Sequence, residues 1–146
     1  MNNELAFSIA NLFALIGWVF LIILPNHKVT KGLVHKGTIS LLLSIGYLGY
    51  AVVGISSGAD VDFQSLSGVM SLFQDQNSVM AGWIHYLAFD LFVGSWVQRE
   101  SVKHGIKHLL MVPCLILTFM LGPVGLLAYT LVKTVTGKSG KNPAII

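Results

Sequence analysis

Residues 79–99, VMAGWIHYLAFDLFVGSWVQR, are the part of this chain that most restricts its fold. About 20 apolar residues in a helix, rising 1.5 Å per residue, span the roughly 30 Å hydrocarbon core of a bilayer. Asp90 lies near the middle of this stretch, where an acidic side chain costs roughly 2.5–3.5 kcal/mol on an insertion scale. Such a residue usually faces the interior of a helix bundle and often serves a function. The stretch therefore predicts a membrane helix with a functional carboxyl group.

The composition predicts an integral membrane protein. Hydrophobic residues make up 54% of the 146 residues, charged residues make up 10%, and the mean hydropathy is +0.75. A soluble domain has about 25% charged residues. A single cysteine, Cys114, excludes an internal disulfide and a cysteine-rich metal site. The sequence contains no run of like charges of the kind that would indicate a nucleic-acid partner.

The apolar pattern predicts an all-α fold, an integral membrane four-helix bundle in a single domain, 1–134, followed by a flexible polar tail, 135–146. The four predicted spans are 5–24, 37–55, 79–98 and 108–131. Gly122 and Pro123 interrupt the last span, where a proline removes a backbone donor and clashes with the preceding turn. Such a break is tolerated in a membrane where protein covers it, so we expect it to line a cavity.

Two further segments have a recognisable pattern. Within 56–78, apolar residues recur every three or four positions, which predicts a short amphipathic helix in the membrane interface. Within 37–55, Gly46, Gly49 and Gly54 alternate with tyrosines. These glycines favour either close helix packing or a smooth groove for a flat ligand such as a polyene.

The basic residues predict the topology. The loops after the first and third spans carry six of the nine lysines and arginines, whereas 56–78 carries three aspartates and no basic residue. The positive-inside rule then puts both basic loops in the cytoplasm and the N-terminus outside. Four full spans, which we expect, put the basic tail outside as well. The alternative is that the broken last segment enters and leaves the membrane on the same side. The basic tail would then lie on the cytoplasmic side, as the positive-inside rule favours.

Candidate catalytic groups lie on the third span. Asp90, in its neutral form in hydrocarbon, is the candidate proton donor, and His85 is the candidate base. The two are five residues apart, so they point about 140° away from each other on a helix. Tyr86 is one turn from Asp90, and a hydrogen bond that only ties the helix together is the simpler interpretation of that pair. The predicted substrate-binding residues are Trp83, Tyr86, Phe89, Trp96, Gly122 and Pro123. The predicted anchors to lipid headgroups are Arg99 and His108.

The second half of the chain resembles a membrane family named for the plant abscisic-acid-deficient-four protein. The resemblance rests on GWIHYLAFDLFVG, HLLMVPCL and GPVGLL, with a looser match in the first half. It implies a four-span bundle. In plants the family is required to make the allenic carotenoid neoxanthin from the epoxide violaxanthin.

The resemblance implies a carotenoid or another isoprenoid lipid as the partner and a possible isomerase within the bilayer, converting an epoxide to an allene. The first alternative is a carotenoid- or lipid-binding membrane protein without chemistry. The second is a metal-dependent carotenoid oxidoreductase with His85, Asp90, His108 and His35 as ligands. The main hypothesis needs no cofactor and no metal. The absence of a transit peptide favours the bacterial inner membrane, and the oligomeric state stays open.

Overall fold

The computed structural model describes residues 2–56 and 62–136, and this part of the chain is all-α, without a strand. The all-α part of the predicted fold class is therefore confirmed. The helices are α1 (Asn3–Ile23), α2 (Lys28–Thr30), a π-helical turn (Lys31–His35), α3 (Thr38–Ser56), α4 (Leu66–Leu72), α5 (Gln76–Lys103), α6 (His108–Leu121) and α7 (Pro123–Thr136). Residues 137–146, most of the predicted tail, lie outside the described residues, and α7 extends to Thr136.

Local chemistry sets the ends of α1. The side chain of Asn2 accepts a hydrogen bond of 3.0 Å from the backbone N–H of Glu4, which satisfies one of the free donors at the helix start. The helix stops before Leu24–Pro25, because the residue before a proline disfavours the helical conformation. The first predicted span, 5–24, therefore corresponds closely to an observed helix.

Two segments, Asn3–Ile23 and Lys28–Ser56, are long and apolar enough to cross a membrane. The other two predicted spans do not meet that criterion. α5 has 28 residues, but polar side chains such as His85 and Asp90 lower the hydropathy of its apolar stretch. α6 has 14 residues, so it is only about 21 Å long. The all-α architecture is thus established, whereas the integral four-span bundle is not confirmed.

The ends of α5 follow from a cap and a glycine. The side chain of Asp75 accepts a hydrogen bond of 2.8 Å from the backbone N–H of Ser78, in the first turn. At the other end Gly105 has a φ of +66°, and Ile106 N–H donates to the Ser101 carbonyl at 2.9 Å. A glycine in this conformation ends a helix without steric cost. These signals extend the helix beyond the predicted 79–98 at both ends.

The break in the last apolar segment is confirmed. α6 ends at Leu121, Gly122 has φ +47° and ψ −98°, and α7 begins at Pro123. Proline is favoured at the first position of a helix because its missing N–H would have no partner there.

The chain divides into two compact units. The first unit comprises Met1–Leu15 and Ile39–Phe89, and the second comprises Ile16–Thr38 and Asp90–Ile146. The core of the first includes Ala6, Ala10, Leu43, Met80, Ile84 and Leu87. The core of the second includes Trp18, Leu21, Leu91, Met111, Leu115 and Tyr129. Each unit contains one of the two predicted catalytic residues.

Candidate functional site

A cavity of about 230 Å³ lies in the first unit, between α3, α4 and the beginning of α5. Its walls are mainly apolar, and Tyr47, Ser78 and His85 contribute the polar side chains. The other lining residues are Ala51, Gly54, Ile55, Phe63, Val69, Leu72, Phe73, Ala81 and Gly82. His85 is the one predicted site residue that lines this cavity. An apolar pocket with a few convergent polar groups is the usual form of a small-molecule site.

Gly54 allows α3 to approach the first turn of α5. A Cβ at this position would lie 3.1 Å from Ser78 Oγ, which is tighter than ordinary packing, and 3.7 Å from Asp75 Oδ2, which is an ordinary contact. By contrast, a Cβ at Gly49 would meet nothing within 4 Å. Of the two interpretations of these glycines, close packing therefore applies at Gly54, which also lines the cavity.

The predicted amphipathic segment covers the cavity. α4 is only seven residues long, and Ser65 caps it by accepting a hydrogen bond of 3.1 Å from the Gly68 N–H. Asp62 in turn accepts from the Ser65 hydroxyl, and this hydrogen bond lowers the pKa of the exposed carboxyl. Val69 and Leu72 of α4 point into the cavity wall. No α4 residue is buried, and its interfacial position in a membrane stays a prediction.

Aromatic rings hold the imidazole of His85. The ring of Phe89 stacks on it with centroids 4.5 Å apart and planes at 24°, and the ring of Tyr47 lies at 5.6 Å. The imidazole is exposed and also lines the cavity. The structure therefore brings together two predicted residues, His85 and Phe89, and adds Tyr47.

Two other predicted binding residues form a separate group of rings. Trp83 stacks on Phe7 at 5.6 Å and lies 5.5 Å from Tyr86. Its indole N–H donates to Asn11 Oδ1 at 3.2 Å. Neither Trp83 nor Tyr86 is among the residues that line the described cavity. Their role in substrate binding stays a prediction.

In the second unit, the carboxyl group of Asp90 lies against the helix break. A Cβ on Gly122 would be 3.0 Å from Asp90 Oδ1 and 3.2 Å from Oδ2. Gly122 is buried, and Pro123 beside it is exposed. The helix break and the carboxyl group of α5 are therefore neighbours within this unit. Neither Gly122 nor Pro123 lines the cavity described above, so the expected cavity at the break stays a prediction. Trp96 makes an edge-to-face contact with buried Tyr129, with centroids 5.8 Å apart.

The sequence analysis missed a polar cluster around the end of α1. His108 Nε2–H donates to the Ile22 carbonyl at 2.8 Å, His35 Nε2–H donates to the Pro25 carbonyl at 3.0 Å, and the Thr30 hydroxyl donates to the Leu24 carbonyl at 2.6 Å. These donors satisfy carbonyl groups that a helix end leaves unpaired.

Polar side chains on one face of α5 complete this cluster. Ser95 Oγ lies 3.0 Å from His35 Nδ1, and Gln98 Oε1 lies 3.1 Å from His108 Nδ1. Ser95, Gln98 and Ser101 are buried and recur every third residue. That spacing is the sequence signal that could have identified the cluster. Arg99, predicted as an anchor, is exposed, and its headgroup contact stays a prediction, as does that of His108.

Potential metal ligands do not cluster in the part of the chain that the structure describes. Within residues 2–56 and 62–136, no three side chains of histidine, cysteine, aspartate or glutamate are grouped so that they could hold a metal ion. Both ring nitrogens of His35 and of His108 already have hydrogen-bond partners.

Taken together, these observations describe an all-α protein with two helices apolar enough to cross a membrane and an apolar, histidine-containing cavity. The chain belongs to the ABA DEFICIENT 4-like family, whose model matches residues 5–129. This match confirms the family resemblance and extends it to the first half of the chain. Comparisons with curated proteins and with solved structures find no match.

Proposed function

We propose that this protein binds a carotenoid or a related cyclic isoprenoid within a membrane and isomerises it. Membership of the ABA DEFICIENT 4-like family supports a role related to neoxanthin synthesis. The surface supports membrane placement, because α1 and α3 expose many large apolar side chains, Leu12, Ile23, Leu41, Ile45 and Leu48 among them. A soluble protein rarely exposes apolar patches of this extent.

The cavity suits the ring at the end of such a molecule. Pockets that enclose a whole drug-sized ligand measure about 300–1,000 Å³, so a cavity of about 230 Å³ holds part of a long polyene. Tyr47, Phe63 and Phe73 supply aromatic surfaces for an apolar ring. In this proposal the polyene chain leaves the cavity and lies along the exposed apolar helices.

The observation that carries the proposed chemistry is the imidazole of His85 at the wall of this apolar cavity. In the proposed reaction, a neutral imidazole takes a proton from a polyene carbon and the C–H electrons form the new double bond of the allene. The epoxide C–O bond breaks, and the oxygen takes up a proton and becomes a hydroxyl group. Substrate and product are isomers, so no oxidant or reductant is consumed. Asp90 stays the predicted proton donor.

A binding protein without chemistry is the second candidate, because the apolar lining of the cavity would suit it equally well. The two candidates differ in what happens to the bound pigment. An isomerase changes the pigment, whereas a binding protein releases it unchanged.

Pigment analysis of a bacterial host that accumulates an epoxy-carotenoid, with and without this protein, tests the proposal. We expect a new isomer with the wild-type protein and none with His85→Phe, which keeps an aromatic ring against Phe89 but removes the base. His27→Gln, in an exposed loop, is the matched control and should retain the activity. Unchanged pigment that copurifies with the wild-type protein would favour the binding role. No conversion and no bound pigment would contradict both candidates.

A further inference from the structure

The chain reverses direction at Gly122. Its φ of +47° leaves the helical region, and its N–H still donates to the Thr118 carbonyl at 2.9 Å. Three residues later, Gly125 lies so close to Thr118 that a Cβ would overlap the threonine side chain and backbone. Residues seven apart in a continuous helix would be about 10.5 Å apart along its axis. The two helices therefore fold back on each other directly after the turn.

The contacts of α6 show its direction relative to the second half of α5. At the start of α6, His108 lies beside Gln98 and the Ile22 carbonyl. After its last residue, Gly122 lies against Asp90. The chain thus runs from the level of residue 98 to the level of residue 90, antiparallel to α5. These levels are about 12 Å apart along the α5 axis.

The contacts of α7 show that it returns. It begins beside Asp90, and its Tyr129 packs on Trp96. Further on, Lys133 lies close enough to Glu100 to help lower the pKa of that carboxyl, a shift due mainly to the hydrogen bond from Lys103. The order along α7 matches the order along α5, so α7 ends where α6 began.

From this geometry we infer that residues 108–136 form a re-entrant hairpin, which enters and leaves the membrane on the side of the basic loops. The hairpin does not cross the membrane, and it carries the Gly122 turn onto Asp90 within the bilayer. The inference rests on the membrane placement in the proposed function, not on the substrate or the chemistry.

Length and charge agree with a hairpin. α6 and α7 have 14 residues each, about 21 Å, which is short of the roughly 30 Å that a span requires. The irregular backbone at the turn is buried in protein, the condition under which a membrane tolerates it. Lys133 then lies on the same side as the six basic residues of the two loops. These seven basic residues all obey the positive-inside rule.

Single-cysteine labelling in a Cys114→Ser background tests the hairpin. The variants are Asn26→Cys in the first basic loop, Ser67→Cys in α4, and Thr134→Cys and Thr136→Cys at the end of α7, all at exposed positions. Cells would be treated with a membrane-impermeant maleimide before and after permeabilisation. We expect Thr134→Cys and Thr136→Cys to label together with Asn26→Cys, only after permeabilisation, and Ser67→Cys to label in intact cells.

Labelling of both α7 variants in intact cells, together with Ser67→Cys, would show a full span and overturn the inference. Labelling of all variants under one condition would overturn the membrane placement on which it rests. Neither result depends on pigment conversion, so loss of the isomerase proposal leaves the hairpin testable. Two positions in α7 are labelled so that the test does not depend on one variant, which could fail to fold.

Discussion

At the residue scale, the carboxyl group of Asp90 and the backbone of Gly122 constrain each other. Any side chain on residue 122 would come within about 3 Å of a carboxyl oxygen, and the residue also has a positive φ. An isolated reading of the sequence identified both residues as functional candidates. It could not show that they touch, because they are 32 positions apart in the chain.

We predict that Asp90→Asn folds and inserts but loses the pigment conversion. Asparagine keeps the shape and hydrogen-bonding capacity of the side chain, but it cannot donate an acidic proton. The measurement is pigment profiling together with thermal unfolding of the purified protein in detergent. Glu4→Gln, at an exposed position, is the control for loss of a carboxylate. Full conversion by Asp90→Asn would assign Asp90 a structural role only.

We predict that Gly122→Ala lowers the free energy of unfolding by about 1–3 kcal/mol, the usual cost of a strained backbone conformation. The added methyl group would also press on the Asp90 carboxyl. The control is Gly49→Ala, since a Cβ there meets nothing within 4 Å and alanine favours a helix. Unfolding in detergent should separate the two variants. Equal stability of both would show that the turn does not need glycine.

At the element scale, side chains from distant parts of the chain complete the end of α1. Pro25 in the sequence predicts where the helix stops, but it does not identify the donors for the last carbonyl groups. The His108 ring reaches the Ile22 carbonyl across 86 positions of sequence, and this contact exists only because α6 packs there. Sequence periodicity contains no information about such a contact.

We predict that His108→Phe lowers the free energy of unfolding by about 1–3 kcal/mol, because it leaves the half-buried Ile22 carbonyl without its donor. His108→Gln keeps an N–H donor and should lose less. Thermal unfolding in detergent of both variants and the wild type provides the comparison. If His108→Phe is as stable as His108→Gln, the hydrogen bond contributes little to the end of α1.

At the scale of the whole molecule, the exposed apolar side chains of α1 and α3 favour a position in a membrane. We predict that the full chain, expressed in bacteria, sediments with the membranes and resists extraction at alkaline pH. Loosely bound peripheral proteins are released under that condition, whereas helices with buried apolar surface in the bilayer are retained. Recovery of the protein in the soluble fraction would contradict the membrane placement and the proposals built on it.

The amino-acid sequence by itself determined the helices, the break and the family. Apolar length, Pro25 and the Gly122–Pro123 pair act on the local backbone, so their effects can be predicted without knowing what packs nearby. His85, predicted as a site residue, lies at the cavity wall. Its role as a base stays a prediction.

Only the tertiary structure decided which side chains meet. The helical spacing of the sequence puts Trp83 and Tyr86 on the same face as Asp90. It could not show that Phe7 and Asn11 would contact Trp83. The sequence likewise could not show how far the chain turns at Gly122. A glycine–proline pair ends one helix, but it does not set the direction of the next helix. That direction follows from packing, from Tyr129 on Trp96 and Gly125 on Thr118, and such contacts between distant positions exist only in the folded chain.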